Sequence, residues 1–264
     1  MALKHLTILA LMLTVGCTQD EEDEGPKGLD PAGDEDGDGL QNADEESLGT
    51  DPNNPDSDED GFDDAQEVLE GTNPNYEYSH SYTGEYNIGW CDTPPEPTGP
   101  TLEGEYVDEA GNSLATWALQ NGDVPDNFTM LDQHGEMVDL YSFCGTQIMV
   151  VVSAGWCGPC RAEAETLQAL AEENPDIQIL QMLFQNNSGE TPDLDFIQGW
   201  ADDYGFVNVA ALSTNEEPAT TAEEYFALQS SIWDIDGYIP TVYHLDTNMT
   251  IISADEGQTE PPSL

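Results

Sequence analysis

Five consecutive apolar residues, Ile148-Met149-Val150-Val151-Val152, run into Trp156-Cys157-Gly158-Pro159-Cys160 and then into a helical pattern over residues 157–173. A short, wholly apolar run bounded by turn formers predicts a central strand buried on both faces. Leu167, Leu170 and Ala171 give the following helix one apolar face. The two cysteines therefore fall one turn apart at a helix N-terminus, where unpaired N–H groups and aligned peptide dipoles stabilise a thiolate. Cys157 is the expected attacking thiol, and Cys160, on the same helix face, is placed to resolve the mixed disulfide. Pro159 is tolerated because N–H groups in a first helical turn have no intrahelical partner. Arg161, the only arginine of the chain, reads as a solvated cation at the start of an exposed helix.

Further strands are predicted over 127–131, 177–184 and 207–212, and helices over 194–204 and 223–233. Residues 241–245 and 250–253 form a hairpin around Asp246-Thr247-Asn248. Alternating strands and helices predict a layered α/β domain. The string Trp156 to Cys160 resembles the active site of the thioredoxin superfamily. Val124-Pro125-Asp126-Asn127-Phe128, with Asp139-Leu140 beyond it, resembles the start of the redoxin branch, which includes membrane-tethered exported thiol-disulfide oxidoreductases. The resemblance covers residues 124–256. It implies a central mixed sheet flanked by helices and disulfide exchange without a cofactor, acting on protein or peptide thiols and disulfides and served by a further redox partner. It also implies a cis-proline facing the cysteines, which Ile239-Pro240-Thr241 before a strand fits. Trp156, Ile239 and Pro240 are then the substrate-binding residues. The chain departs from thioredoxins at Val151, where the family buries an acid, and at Glu165, where it often has a helix-kinking proline. Water or Glu163 is left to take the proton of Cys160. Zinc is disfavoured, since His80, His134 and His244 lack ligand spacing.

Upstream, the sequence repeats itself with a period of 22 residues, from Asp34 to Asp56. Asp34, Asp36, Asp38, Leu40 and Glu45 fall at positions 1, 3, 5, 7 and 12 of an EF-hand-type calcium loop, with Gly39 at the turn. Asp56, Asp58, Asp60, Phe62 and Glu67 repeat that spacing around Gly61. Carboxylates at alternating positions can turn inward on one hard cation, Ca2+, while Leu40 and Phe62 offer carbonyls. No flanking helices are expected. The Asp-x-Asp-x-Asp-Gly runs and Gly-Thr-x-Pro ends resemble thrombospondin type 3 repeats, which implies a calcium-stiffened spacer rather than a sensor.

Acidic residues outnumber basic ones 55 to 3 in 264 residues, a balance that argues against nucleic acid as a partner. Lys4 and His5 precede an apolar run, Leu6 to Val15, that reads as an export signal and is too short to span a bilayer, which takes about 20 apolar residues. Gly16-Cys17 resembles a lipoprotein processing site, with Thr14 departing from the pattern; Cys17 would carry a lipid anchor to the membrane. In an oxidising compartment Cys91 and Cys144 form a structural disulfide or stay as two buried thiols. The organisation expected is a signal peptide over 1–17, an acidic tether over 18–33, two calcium repeats over 34–75, a linker with irregular structure over 76–122, and a thioredoxin-like domain over 123–264. Competing readings are a calcium-dependent adhesion protein whose redox domain does not turn over, and a thiol peroxidase. The Asn-x-Ser/Thr matches at Asn127, Asn186 and Asn248 read as coincidence, and Trp117, Trp200 and Trp233 as core or surface cover.

Overall fold

The computed structural model describes residues 28–99, 119–213, 233 and 239–256. The signal segment, Cys17, Trp117 and residues 223–232 of the expected third helix lie outside the described residues. Among the described residues no helix is long and apolar enough to cross a membrane.

Each acidic loop leads into a seven-residue helix, α1 over Asn42–Leu48 and α2 over Asp64–Glu70. The expectation that no helices flank the loops is therefore corrected on the exit side. Helices this short leave no readable periodicity and are marginal alone. They persist because Glu45 and Glu67 are drawn fully inside the repeats.

The next segment, through Cys91, forms neither helix nor strand, yet it belongs to the core. Tyr76 and Tyr86 are buried with Phe128, Phe143 and Tyr243 in one cluster. The Tyr86 hydroxyl donates to Asp132 Oδ2 at 2.7 Å, and the backbone N–H of Asn87 donates to Gln178 Oε1 at 2.7 Å. Cys91 and Cys144 are disulfide-bonded.

The strands are β1 (Thr129–Leu131), β2 (Met137–Asp139), β3 (Gln147–Ser153), β4 (Ile177–Leu183), β5 (Val209–Ser213), β6 (Thr241–Leu245) and β7 (Ile251–Glu256). They form one seven-stranded sheet in the order β2-β1-β5-β4-β3-β6-β7. The β3–β4 and β4–β5 pairs are parallel and all others antiparallel. Parallel neighbours require crossovers, which α3 (Gly158–Glu173) and α4 (Leu194–Tyr204) supply. Alternation along β3 sends Met149 and Val151 toward Leu167 and Ala171 of α3, and Ile148, Val150 and Val152 toward the tyrosine-rich cluster. Ile197 and Trp200 of α4 pack with Leu183 and Ala211 on the α3 side. Trp233 fills the opposite face, meeting Phe128 and Tyr243 edge-on. The expected mixed sheet flanked by helices is present. The short edge strand β2 escaped prediction because three residues carry no periodic signal.

Tyr86→Phe removes the one side-chain donor to a fully buried carboxylate oxygen of Asp132. It should lower the unfolding free energy in urea by about 1–3 kcal/mol, whereas an unchanged midpoint would show the contact to be energetically idle.

Candidate active site and cation loops

Strand β3 ends at Ser153, and the chain turns through Ala154 and Gly155 before α3 begins. Gly155 is required there: a Cβ would stand 2.9 Å from the Asn186 carbonyl carbon and 2.6 Å from the Phe196 ring. The turn puts Cys157 at the N-cap of α3, its sulfur accepting from the Cys160 N–H at 3.2 Å. Pro159 sits in the first turn, where the helix needs no donor from it. Cys157 and Cys160 are disulfide-bonded and buried among Ala154, Phe184 and Ile239. The Ile239–Pro240 peptide bond is cis, and the Ile239 carbonyl oxygen lies 3.7 Å from Cys157 Sγ. Trp156 is half exposed beside the pair, donating from Nε1 to Gln185 Oε1 at 2.8 Å and meeting Phe184 edge-on. The structure thus gathers Trp156, Cys157, Cys160, Ile239 and Pro240 at one end of the sheet.

Arg161 does not wave in solvent. Its Nε donates to the Gly155 carbonyl at 2.7 Å, a second nitrogen reaches Asn187 Oδ1, and the guanidinium lies 5.4 Å from the Trp200 ring centroid. The solvated reading is corrected: a planar fork of donors spans two loops that a sequence window treats as unrelated.

Val151 is wholly buried between Gln181 of β4 and Val242 of β6, so no acid stands in its place. Gln181 donates to Ser153 Oγ at 3.1 Å and accepts from Trp200 Nε1 at 2.8 Å, a buried polar chain beneath the turn that sequence reasoning missed. Its signal was present in the two glutamines that interrupt the apolar Ile177–Leu183 strand. Glu163 lies one turn beyond Cys160 on α3, 8% exposed, with neither carboxylate oxygen hydrogen-bonded. Burial alone pushes its carboxyl up to about 7.

In the first acidic loop Asp34, Asp36 and Asp38 each bring a carboxylate oxygen within 4.8 Å of the others, and Asp56, Asp58 and Asp60 do the same in the second. Gly39 and Gly61 hold φ of 113° and 101°, the left-handed backbone that lets the aspartates converge. The N–H groups of Leu40 and Phe62 donate to Asp38 Oδ1 at 2.7 Å and Asp60 Oδ1 at 2.9 Å. Both oxygens of Glu45, with Asp36 Oδ2, Asp56 Oδ1, Asp58 Oδ2 and Glu67 Oε2, are buried without a hydrogen-bond partner. An unpaired buried carboxylate costs several kcal/mol, so convergent orphaned oxygens fit a hard divalent cation. Burial, then repulsion from neighbouring carboxylates, raises Glu67 to about 8 and Glu45 to about 7. Asp58 rises to about 6 through burial and Asp60.

The AhpC/TSA family model matches residues 121–254, and the bacterial TSP3 repeat model matches residues 34–55 and 56–75. No curated protein matches significantly. Among solved structures, a secreted disulfide oxidoreductase of Mycobacterium tuberculosis is 20% identical over 52% of this chain and 87% of its own, with a TM-score of 0.37. A thio-disulfide isomerase from Thermus thermophilus is 17% identical over 54% and 89%, with a TM-score of 0.41. An exposed lipoprotein thioredoxin of Streptococcus pneumoniae is 19% identical over 51% and 92%, with a TM-score of 0.38.

Because the fold holds Glu163 above its usual range, the folded state binds the extra proton between the ordinary carboxyl value of 4.5 and about 7. Stability therefore falls as pH rises across that window. Glu163→Gln should raise the unfolding free energy by about 1–3 kcal/mol at pH 8 and leave it unchanged at pH 4. Urea unfolding at both pH values checks this, and equal effects at both would refute it.

Proposed function

The chain belongs to the AhpC/TSA family of thioredoxin-like oxidoreductases, with bacterial TSP3 repeats ahead of the redox domain, and from that premise we propose that Cys157 and Cys160 exchange disulfides with exported proteins or peptides. The observation that carries this reading is the Cys157 sulfur at the α3 N-cap, facing the Cys160 N–H with the Ile239 carbonyl alongside. In the reduced state that N–H and the helix N-terminus favour the Cys157 thiolate. The thiolate attacks a substrate disulfide, one substrate sulfur leaves as a thiolate, and a mixed disulfide forms. Cys160 then loses its proton and attacks Cys157, releasing the second substrate thiol and restoring the intramolecular disulfide. The reverse sequence oxidises a dithiol.

Cys160 is fully buried, so its proton needs an acceptor inside the protein. Glu163, one turn along the helix and held near neutrality, fits that role better than the aliphatic Val151. Half-exposed Trp156 and the Ile239–Pro240 carbonyl edge offer an apolar flank and a backbone acceptor to an extended substrate chain. Insulin-disulfide reduction with dithiothreitol as electron source tests the reading. Cys157→Ser should abolish turnover, and Glu163→Gln should slow it about tenfold or more above pH 7, where the native carboxylate can accept the proton. Equal turnover by Cys157→Ser and the native chain would sink the proposal, and peroxide consumption in place of insulin reduction would redirect it to a thiol peroxidase.

The repeats serve as a spacer. Asp34, Asp36, Asp38, Leu40 and Glu45 would hold one calcium ion, and Asp56, Asp58, Asp60, Phe62 and Glu67 a second. A bound cation supplies the charge that offsets the mutual repulsion of these carboxylates. With the export signal and Cys17 as lipid anchor, residues 18–33 would tether the repeats to the membrane and hold the redox domain away from it. Calorimetry should find two sites of about 0.1–1 mM affinity, with Glu45→Gln and Glu67→Gln each weakening one. Since the fold holds Glu45 and Glu67 partly protonated near pH 7, binding should release protons, read as a buffer-dependent heat. A heat that is the same in every buffer would contradict the raised carboxyls.

A further inference from the structure

The repeat geometry continues past the second loop. Between the loops, the Asp51 N–H donates to Ser57 Oγ at 2.8 Å and the Asn53 N–H to Asp51 Oδ1 at 3.1 Å. One period on, the Asn73 N–H donates to Ser79 Oγ at 2.9 Å and the Asn75 N–H to Asn73 Oδ1 at 3.2 Å. The backbone bond from Asn54 N–H to the Asp51 carbonyl recurs as Tyr76 N–H to the Asn73 carbonyl. Residues 73–79 are thus the beginning of a third repeat that has no run of carboxylates and docks onto the redox domain instead. Asn73 Nδ2 donates to the Cys91 carbonyl at 2.7 Å, buried Tyr76 reaches the Tyr141 carbonyl, and the Tyr82 hydroxyl lies 2.8 Å from Ser142 Oγ. These contacts bracket the Cys91–Cys144 disulfide.

The same strap touches the second acidic loop. The His80 ring stacks on Phe62 at 4.9 Å with 10° between planes, and its Nδ1 lies 3.3 Å from Asp60 Oδ2. His80 also packs against Tyr82 at 4.6 Å. Loop residues at positions 5 and 7 therefore bear directly on the segment that holds Cys91.

We propose that the second loop and the Cys91–Cys144 disulfide form one cation-sensitive unit. With Asp56, Asp58, Asp60 and Glu67 gathered on calcium, Phe62 and Asp60 hold His80 and the 73–91 strap closed over the disulfide. Without the cation these carboxylates repel one another, the Phe62–His80 contact opens, and the strap loosens as a local unit. A dithiol then reaches the bond. Its thiolate attacks the sulfur of Cys91, the half-buried partner, and Cys144 leaves as a thiolate and takes up a proton. The second thiol of the reductant displaces Cys91, so the protein disulfide gains two electrons and the dithiol becomes a cyclic disulfide. The inference rests on the calcium reading of the loops.

The test uses the full chain with Cys17, Cys157 and Cys160 replaced by Ser, leaving one disulfide. Reduction by dithiothreitol is followed by alkylation and mass spectrometry in calcium chloride and in EGTA, with calcium binding measured separately by calorimetry. EGTA should speed reduction by about tenfold or more. Glu67→Gln in calcium should approach the EGTA rate, and Glu45→Gln in the first loop should stay within about twofold of the parent. His80→Ala should speed reduction in calcium while keeping calcium heat at the second loop; with the parent in EGTA, it decides the matter if Glu67→Gln does not fold. Equal rates with and without calcium in a chain that calorimetry shows to bind calcium at the second loop would overturn this inference alone, as would equal acceleration by Glu45→Gln and Glu67→Gln. Absence of any calcium heat would overturn the calcium reading with it.

Discussion

Strand β3 is buried along both faces and hydrogen-bonded along both edges, in parallel to β4 and antiparallel to β6. A strand so enclosed can release the chain only at its ends. The carboxyl end of β3 therefore has to host the turn through Ala154 and Gly155, and α3 has to return across the sheet with Leu167 and Ala171 pressed on Met149 and Val151. The position of Cys157 follows from that packing: its sulfur meets the first free N–H groups of α3 because the helix is pinned to the strand that delivers it. Antiparallel β6 starts at the same end of the sheet, which brings the Ile239 carbonyl to the sulfur.

The N-terminal repeats obey a different constraint. Nothing apolar organises them; they fold by turning carboxylates inward, with glycines in left-handed backbone at the turns and two short helices carrying Glu45 and Glu67 to the centre. A cluster of buried, unpaired carboxylates stores repulsion that a hard cation relieves. The two constraints meet in the tyrosine-rich strap, which is a continuation of the repeat on one side and a layer of the redox core on the other.

Much of the site was legible in local sequence. The apolar run, the Cys-Gly-Pro-Cys spacing and the two Asp-x-Asp-x-Asp-Gly loops each encode geometry over a few residues, and strands and helices formed close to their expected places. Arg161 was misread because its partners, Gly155, Asn187 and Trp200, come together only when the loops after β3 and β4 and helix α4 are stacked. The buried chain from Trp200 through Gln181 to Ser153 escaped for the same reason: a glutamine in a strand announces a polar need, and only the register of β3 against β4 says what answers it. Residues 76–91 looked like a linker because tyrosines spaced among Gly, Asn and Ser carry no period, and their burial is a property of the sheet face they cover.

By itself the sequence determined the α/β class, the redox motif at a helix start and the paired acidic loops, because periodicity and short-range ligand spacing are local consequences of backbone geometry. Tertiary structure alone decided what surrounds those motifs. It set Glu163 in a site without hydrogen-bond partners, tied Arg161 across the active-site turn, and joined the second acidic loop to the redox domain through Asn73, Tyr76 and His80. Burial and contact between distant segments are free-energy outcomes of the whole packed chain, and no window of sequence contains them.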